Sequence, residues 1–210
     1  SYPSALKQHN KIEGISLDNN EISELPDDLN LPIIKRINLD NNKFTSYPSA
    51  LNQHNKIEEI WLDNNEISEL PDDLNLPNLK VIVLDNNKLT SYPSALKQHN
   101  KIEVIFLNDN QITELPADTF KNQLNLEVLS LSDNPLGHVP SCLMHCTGLT
   151  WLGLHKCKLT SIPEWIGKKL KNLDKLSLIY NPDLVELPNS IRFVKQAIIN
   201  TNNIMRERNP

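Results

Sequence analysis

The sequence predicts an α/β repeat solenoid, a stack of short parallel strands backed by helical turns. Two observations predict it. Residues 1–45 and 46–90 are one 45-residue segment written twice, differing only at 7/52, 14/59, 16/61, 33/78, 34/79, 36/81, 38/83 and 44/89, and a third copy opens at Ser91. Within every copy a shorter apolar frame occurs twice and then continues past the exact copies. Self-similarity at a fixed period marks units that cannot bury their apolar faces alone and do so by stacking.

The frame opens as Ile12-x-x-Ile15-x-Leu17-x-x-Asn20-x-Ile22 and returns at Ile34, Ile57, Leu79, Ile102, Leu126, Leu149 and Leu173. A degraded ninth register runs from Val194 through Asn202 to Ile204. We read 1–11 as the back half of a preceding unit, 12–193 as eight units starting at 12, 34, 57, 79, 102, 126, 149 and 173, and 194–210 as a degenerate ninth unit and cap. Side chains alternate along a strand, so the fourth and sixth positions of each unit point inward while the third, fifth and seventh point out. The ninth position turns the chain. There Asn20, Asn42, Asn65, Asn87, Asn110, Asn134, Cys157, Asn181 and Asn202 form a ladder whose buried amides satisfy loop backbone groups. Asn86, the neighbour of Asn87, is expected to face solvent and to be replaceable by Ala at little cost. Each unit closes with a pair such as Leu25-Pro26, Tyr47-Pro48 or Leu187-Pro188. Proline lacks an amide hydrogen and presets φ, which suits entry to a short helical turn.

This frame, L-x-x-L-x-L-x-x-N/C-x-L, resembles the leucine-rich-repeat family, and within it the proline-containing intracellular class. The Asn- and Lys-rich copies of low divergence are similar to repeat effectors and interaction proteins of AT-rich, host-associated bacteria. The resemblance implies a horseshoe with a concave parallel β-sheet and short helical or 3-10 turns on the convex side. It also implies a protein-binding scaffold, with any catalysis in a separate domain. The implied setting is the cytoplasm, or delivery by a bacterium into the host cell cytosol.

Composition excludes several classes. Net charge is −5, so the basic footprint of a nucleic-acid binder is missing. No apolar run approaches 18 residues, and no membrane insertion is expected. Three clustered cysteines, Cys142, Cys146 and Cys157, do not make a disulfide framework. None of the 28 asparagines lies in an Asn-x-Ser/Thr acceptor. Ser1 begins in the middle of a unit, so we expect a fragment whose uncapped N-terminal end self-associates, whereas the polar tail 200–210 reads as a cap.

The outward columns carry the candidate site. Adjacent strands lie about 4.8 Å apart, which joins Trp61, Val81, Val83, Val104, Phe106, Val128 and Trp151 into one apolar patch. A contiguous apolar patch rimmed by polar groups marks an interaction surface, and aromatic residues are the usual hot spots. At the seventh position Asp18, Asp40, Asp63 and Asp85 stack with like charges adjacent, which favours protonation of some of them. Asp63 and Asp85 are the candidates for meeting a partner's basic groups. At the second position Glu13, Lys35, Glu58 and Lys80 alternate in sign, a structural pairing.

Chemical motifs are weaker. Cys142, His145, Cys146, His155 and Cys157 could be drawn as a zinc cluster, but Cys157 takes the inward ladder slot while His155 faces outward, so no metal site is expected. His9, His54 and His99 recur with the copied segment and fall on the convex connection. No nucleophile has a base beside it and five scattered glycines build no phosphate loop, so neither catalytic residues nor a cofactor is expected. The expected function is capture of a protein or peptide on the concave face, as a bacterial effector acting on a host protein. The alternative is the substrate-recognition arm of an enzyme, a ubiquitin ligase or kinase, with its catalytic domain outside these residues.

Overall fold

The middle of each unit becomes a three-residue strand. The computed structural model describes residues 9–199, and they contain β1 (Gly14–Ser16), β2 (Arg36–Asn38), β3 (Glu59–Trp61), β4 (Val81–Val83), β5 (Val104–Phe106), β6 (Val128–Ser130), β7 (Trp151–Gly153), β8 (Lys175–Ser177) and β9 (Gln196–Ile198). The strands pair in chain order into one nine-stranded parallel sheet. Register is uniform: Ile15 faces Ile37, then Ile60, Ile82, Ile105, Leu129, Leu152, Leu176 and Ala197. This inward column is fully buried from Ile37 to Leu176 and only half-buried at Ile15 and Ala197, where a stack has a neighbour on one side. The sixth position adds a second buried column from Leu17 to Leu178. Truncating a fully buried Leu in such a column costs about 2–5 kcal/mol.

The strands end because the eighth position has left-handed backbone. Asn19, Asn41, Asn64, Asn86, Asp109, Asp133, Lys156 and Tyr180 all have positive φ, 50° to 56°. Asn and Asp tolerate this region better than other side chains. The reversal turns the next side chain inward, and that side chain is the ladder residue. In Asn87 the Nδ2 donates to the carbonyls of Leu62, Leu84 and Asp85, while Oδ1 accepts from the Ile67 amide at 2.9 Å. An asparagine bonded in this way bolts its unit to the preceding one. Asn42, Asn65, Asn110 and Asn134 repeat the pattern, and Asn181 accepts from both Cys157 N and Leu159 N. Cys157 donates Sγ–H to the Leu131 carbonyl but offers no comparable acceptor. The chain before it bulges accordingly: Leu136 N turns to Asn134 O, and Gly137 N reaches Cys157 O with φ at +71°. Asn20 is exposed, and its side chain bonds only within its own unit. Asn202, together with the rest of 200–210 and residues 1–8, lies outside the described residues.

On the convex side the proline carbonyls do a common job. Pro26, Pro48, Pro71, Pro93, Pro116, Pro140, Pro163 and Pro188 each accept from the amide three residues on. After Pro48, Pro93, Pro140 and Pro188 the chain makes 3-10 turns, and after Pro163 it makes α1 (Trp165–Lys169). Gly167 in α1 is required by packing, since a Cβ there would lie 1.9 Å from the Ser190 carbonyl oxygen. Tyr92 packs edge-on to Phe120 with ring centroids 5.2 Å apart, and its hydroxyl donates to Gln123.

One expectation is extended here and one corrected. His54 and His99 recur with the copied segment, and they also hold the units together. Each is buried, its Nε2 accepts from a backbone amide one unit away, Leu31 or Leu76, and its Nδ1 meets the carbonyl of Ala50 or Ala95. Burial holds both below the ordinary histidine value, so they are neutral acceptors. Asn86 is exposed as expected, but its positive φ of 51° and its bond to Asn64 mean that Ala is not a neutral replacement.

Candidate functional site on the concave face

The outward residues of β3 to β7 stand side by side. Cross-strand register sets Trp61 against Val83, Val83 against Phe106, and Val81 against Val104, Val128 and Trp151 in turn. Phe106 and Trp151 touch, with centroids 5.6 Å apart and planes at 55°. Trp61, Val81, Val104, Phe106, Val128 and Trp151 are half-buried. Val83 departs from the expected outward patch: it is only 9% exposed, because Trp61 and Phe106 flank the shorter side chain from both strands. It supports the aromatic rings from between them.

Beyond β5 the fifth column changes character. Ser130 and Gly153 are buried and Ser177 is half-buried, and a Cβ on Gly153 would collide with Ser130 Oγ. Asn108 Oδ1 accepts from Ser130 Oγ and from Ser132 N, and Ser132 Oγ accepts from His155 N. The side chains here form a polar floor instead of an apolar one. Past it lies a group the sequence reading missed: Asp133, whose side chain is 11% exposed, pairs with His155 Nε2 at 2.7 Å and Lys156 Nζ at 2.5 Å, and the His155 ring meets the 63%-exposed Tyr180 edge-on. Its residues lie in units whose outward columns share no composition, so no repeated signal announced it.

The ascending rim is acidic and partly buried. Asp40 Oδ1 accepts from Asp63 N, and burial followed by the neighbouring Asp63 pushes Asp40 up to about 8. Burial raises Asp85 as well, against the opposing hydrogen bonds from Asn108 N and Nδ2. Asp18, by contrast, is lowered by its bonds from Ser16 and Asn19. Asp63 and Asp85 are thus half-buried members of the rim whose oxygens also hold neighbouring groups, Asn64 and Asn108. On the other rim Lys35 pairs with Glu13, Lys80 with Glu58, and Lys195 with Asp174, while Arg36 pairs with Glu59 across β2 and β3.

The other sulfur and histidine candidates do not converge. Cys142, Cys146 and Cys157 are buried free thiols, and burial pushes all three up, Cys142 to about 11 and Cys157 to about 12. Among the described residues no group of three or more His, Cys, Asp or Glu is arranged to hold a metal ion. Nor, among them, is any helix long and apolar enough to cross a membrane.

Comparison with known proteins agrees with this geometry. The family model "Leucine rich repeat" matches residues 100–159. A leucine-rich-repeat protein of Leptospira interrogans is 28% identical, with a TM-score of 0.80 over 91% of this chain and 49% of that one. A chain of the glycosylated Toll–Spätzle complex of Drosophila is 32% identical, with a TM-score of 0.69 over 90% of this chain and 25% of that one. The chain therefore spans about half the length of the first and a quarter of the second. No curated protein matches the sequence.

Proposed function

Because this chain is a leucine-rich-repeat protein, a fold that generally mediates protein–protein interaction, we propose that it captures a protein or peptide on its concave face. One observation carries the reading: Trp61, Phe106 and Trp151 stand half-exposed on the outward side of the sheet, opposite the aliphatic columns that form the core. Val81, Val104 and Val128 fill the face between them, Val83 braces Trp61 and Phe106, and Asp63 and Asp85 border the strip. Likeness to a Leptospira protein is consistent with a bacterial source, and the narrower reading we carry forward is a bacterial effector that meets a host protein in the host cytosol.

The test is affinity capture from host-cell and bacterial extracts with the wild type and with Trp61→Ala/Phe106→Ala. Each truncation of a hot spot costs about 2 kcal/mol or more, so the double variant should lose its partner while keeping its unfolding midpoint. Unchanged capture by a folded double variant sinks the concave-face reading. A partner recovered only from bacterial extract overturns the effector reading alone.

A further inference from the structure

The apolar strip lies between two rows of carboxylates with few cations to answer them. In units three to six the outward second, third, seventh and eighth positions hold Glu58, Glu59, Asp63, Asp85, Glu103, Asp109, Glu127 and Asp133, against Lys80 alone. Ion pairs then remove three of these acids: Lys80 takes Glu58, Arg36 takes Glu59, and Lys156 takes Asp133. No described ion pair closes on Asp63, Asp85, Glu103, Asp109 or Glu127, although Lys80 also acts on Glu103 and Lys156 on Asp109 at longer range. Glu103 and Glu127 lie on one side of the Val81–Val104–Val128 row, and Asp63, Asp85 and Asp109 on the other side of the Trp61–Val83–Phe106 row. A seventh-position carboxylate is two residues from its fifth-position neighbour, roughly 7 Å along an extended chain. That is within reach of one long cationic side chain whose stem lies on the aromatic strip, the arrangement in which lysine and arginine bury methylenes and keep the charge in water.

Resting on the concave-face reading above, we propose that the occupant is an extended peptide segment carrying both apolar and basic side chains. Its apolar residues cover Trp61, Phe106 and Trp151, and its Lys or Arg residues reach Glu103 and Glu127 on one side and Asp63 and Asp109 on the other. Charge complementarity of this kind steers association and excludes acidic partners. It also makes binding salt-dependent, since exposed charges are screened beyond about 8 Å at physiological ionic strength.

The experiment selects phage-displayed random 12-residue peptides on the immobilised 210-residue protein, then measures enriched peptides by fluorescence anisotropy. Three proteins are compared: wild type, Trp61→Ala/Phe106→Ala, and the isosteric charge variant Glu103→Gln/Asp109→Asn/Glu127→Gln. Asn is tolerated at the positive φ of residue 109. The expected result is enrichment of Lys- or Arg-containing apolar peptides whose affinity falls roughly tenfold or more in the charge variant and in high salt, and is lost in the aromatic variant. Neutral or acidic peptides that still need Trp61 and Phe106 would overturn this inference and leave the concave-face reading standing. Peptides indifferent to the aromatic variant would overturn both.

Discussion

Replacing Asn87 by Ala tests the bolts between units, and its cost can be worked from the geometry. The side chain makes four hydrogen bonds, but three of its partners keep a second donor. Leu62 O is also held by Asn65 Nδ2, Leu84 O by Asn110 Nδ2, and Asp85 O by Asn64 N. The Ile67 amide has only Asn87 Oδ1, at 2.9 Å, so the variant strands one buried N–H. A buried group left unpaired costs about 1–3 kcal/mol, and loss of the three shared bonds adds to it, so we expect roughly 2–4 kcal/mol. Asn86 needs a different control, because its left-handed backbone penalises Ala by about 1–2 kcal/mol while leaving Gly unstrained. Urea unfolding followed by circular dichroism should rank Asn87→Ala well below Asn86→Ala, with Asn86→Gly near wild type. If Asn87→Ala is no less stable than Asn86→Gly, the ladder does not hold the units together and the register built on it is wrong.

Other outcomes follow from single contacts. Gly167→Ala drives a Cβ into the Ser190 carbonyl and should cost about 1–3 kcal/mol by overpacking, whereas Gly14→Ala, with 3.8 Å to Arg36 Cβ, should leave the thermal midpoint unchanged. Asp40, ordinarily at 3.8 and raised to about 8, keeps its proton in the native state where the unfolded chain has lost it, so its contribution is present at low pH and lost as pH rises through 8. Asp40→Asn should therefore raise the urea midpoint at pH 8.5 relative to wild type and change it little at pH 5; an equal shift at both would refute the raised titration of Asp40. His54 and His99 act in the opposite sense: held below 6.5, they stay neutral when folded, so stability is lost as pH falls below that value. His54→Gln/His99→Gln should flatten the decline between pH 6.5 and 5, and an unaltered pH profile would show that the two rings titrate freely.

The fold was legible because its determinants recur at one spacing. Inward aliphatic residues, the ladder asparagines and the prolines each appear at a fixed offset, and a repeated offset separates a structural signal from chance. What escaped reading lacked either a distinct residue type or a repeat. Asn86 and Asn87 are identical letters, and only the backbone reversal makes one an exposed left-handed turn residue and the other a buried bolt. His54 looks like any loop histidine until the facing Leu31 amide is in place. Val83 sits in an outward column, and its burial depends on the sizes of Trp61 and Phe106 on neighbouring strands. The Asp133–His155–Lys156 group joins units six and seven, where the copies have already diverged.

Divergence between the first two copies is itself informative in physical terms. Of the eight differing pairs, four (14/59, 16/61, 36/81 and 38/83) fall on outward strand positions, and none falls on a ladder residue. Ladder positions do not change and the inward pairs that differ, Ile34/Leu79 and Phe44/Leu89, stay apolar, since a polar or much smaller residue there strands a polar group or opens a cavity. Outward positions carry no such penalty, so stability leaves their composition open. Yet the differences between Ser16 and Trp61 and between Arg36 and Val81 replace polar by apolar surface at the centre of the sheet, and that between Asn38 and Val83 adds an apolar brace beneath the rings, beside a rim on which acids outnumber cations. A solvated face gains little from this, and an uncovered one risks association. The composition of the face therefore fits coverage by a partner, while the frame beneath it would stack equally well under any outward residues.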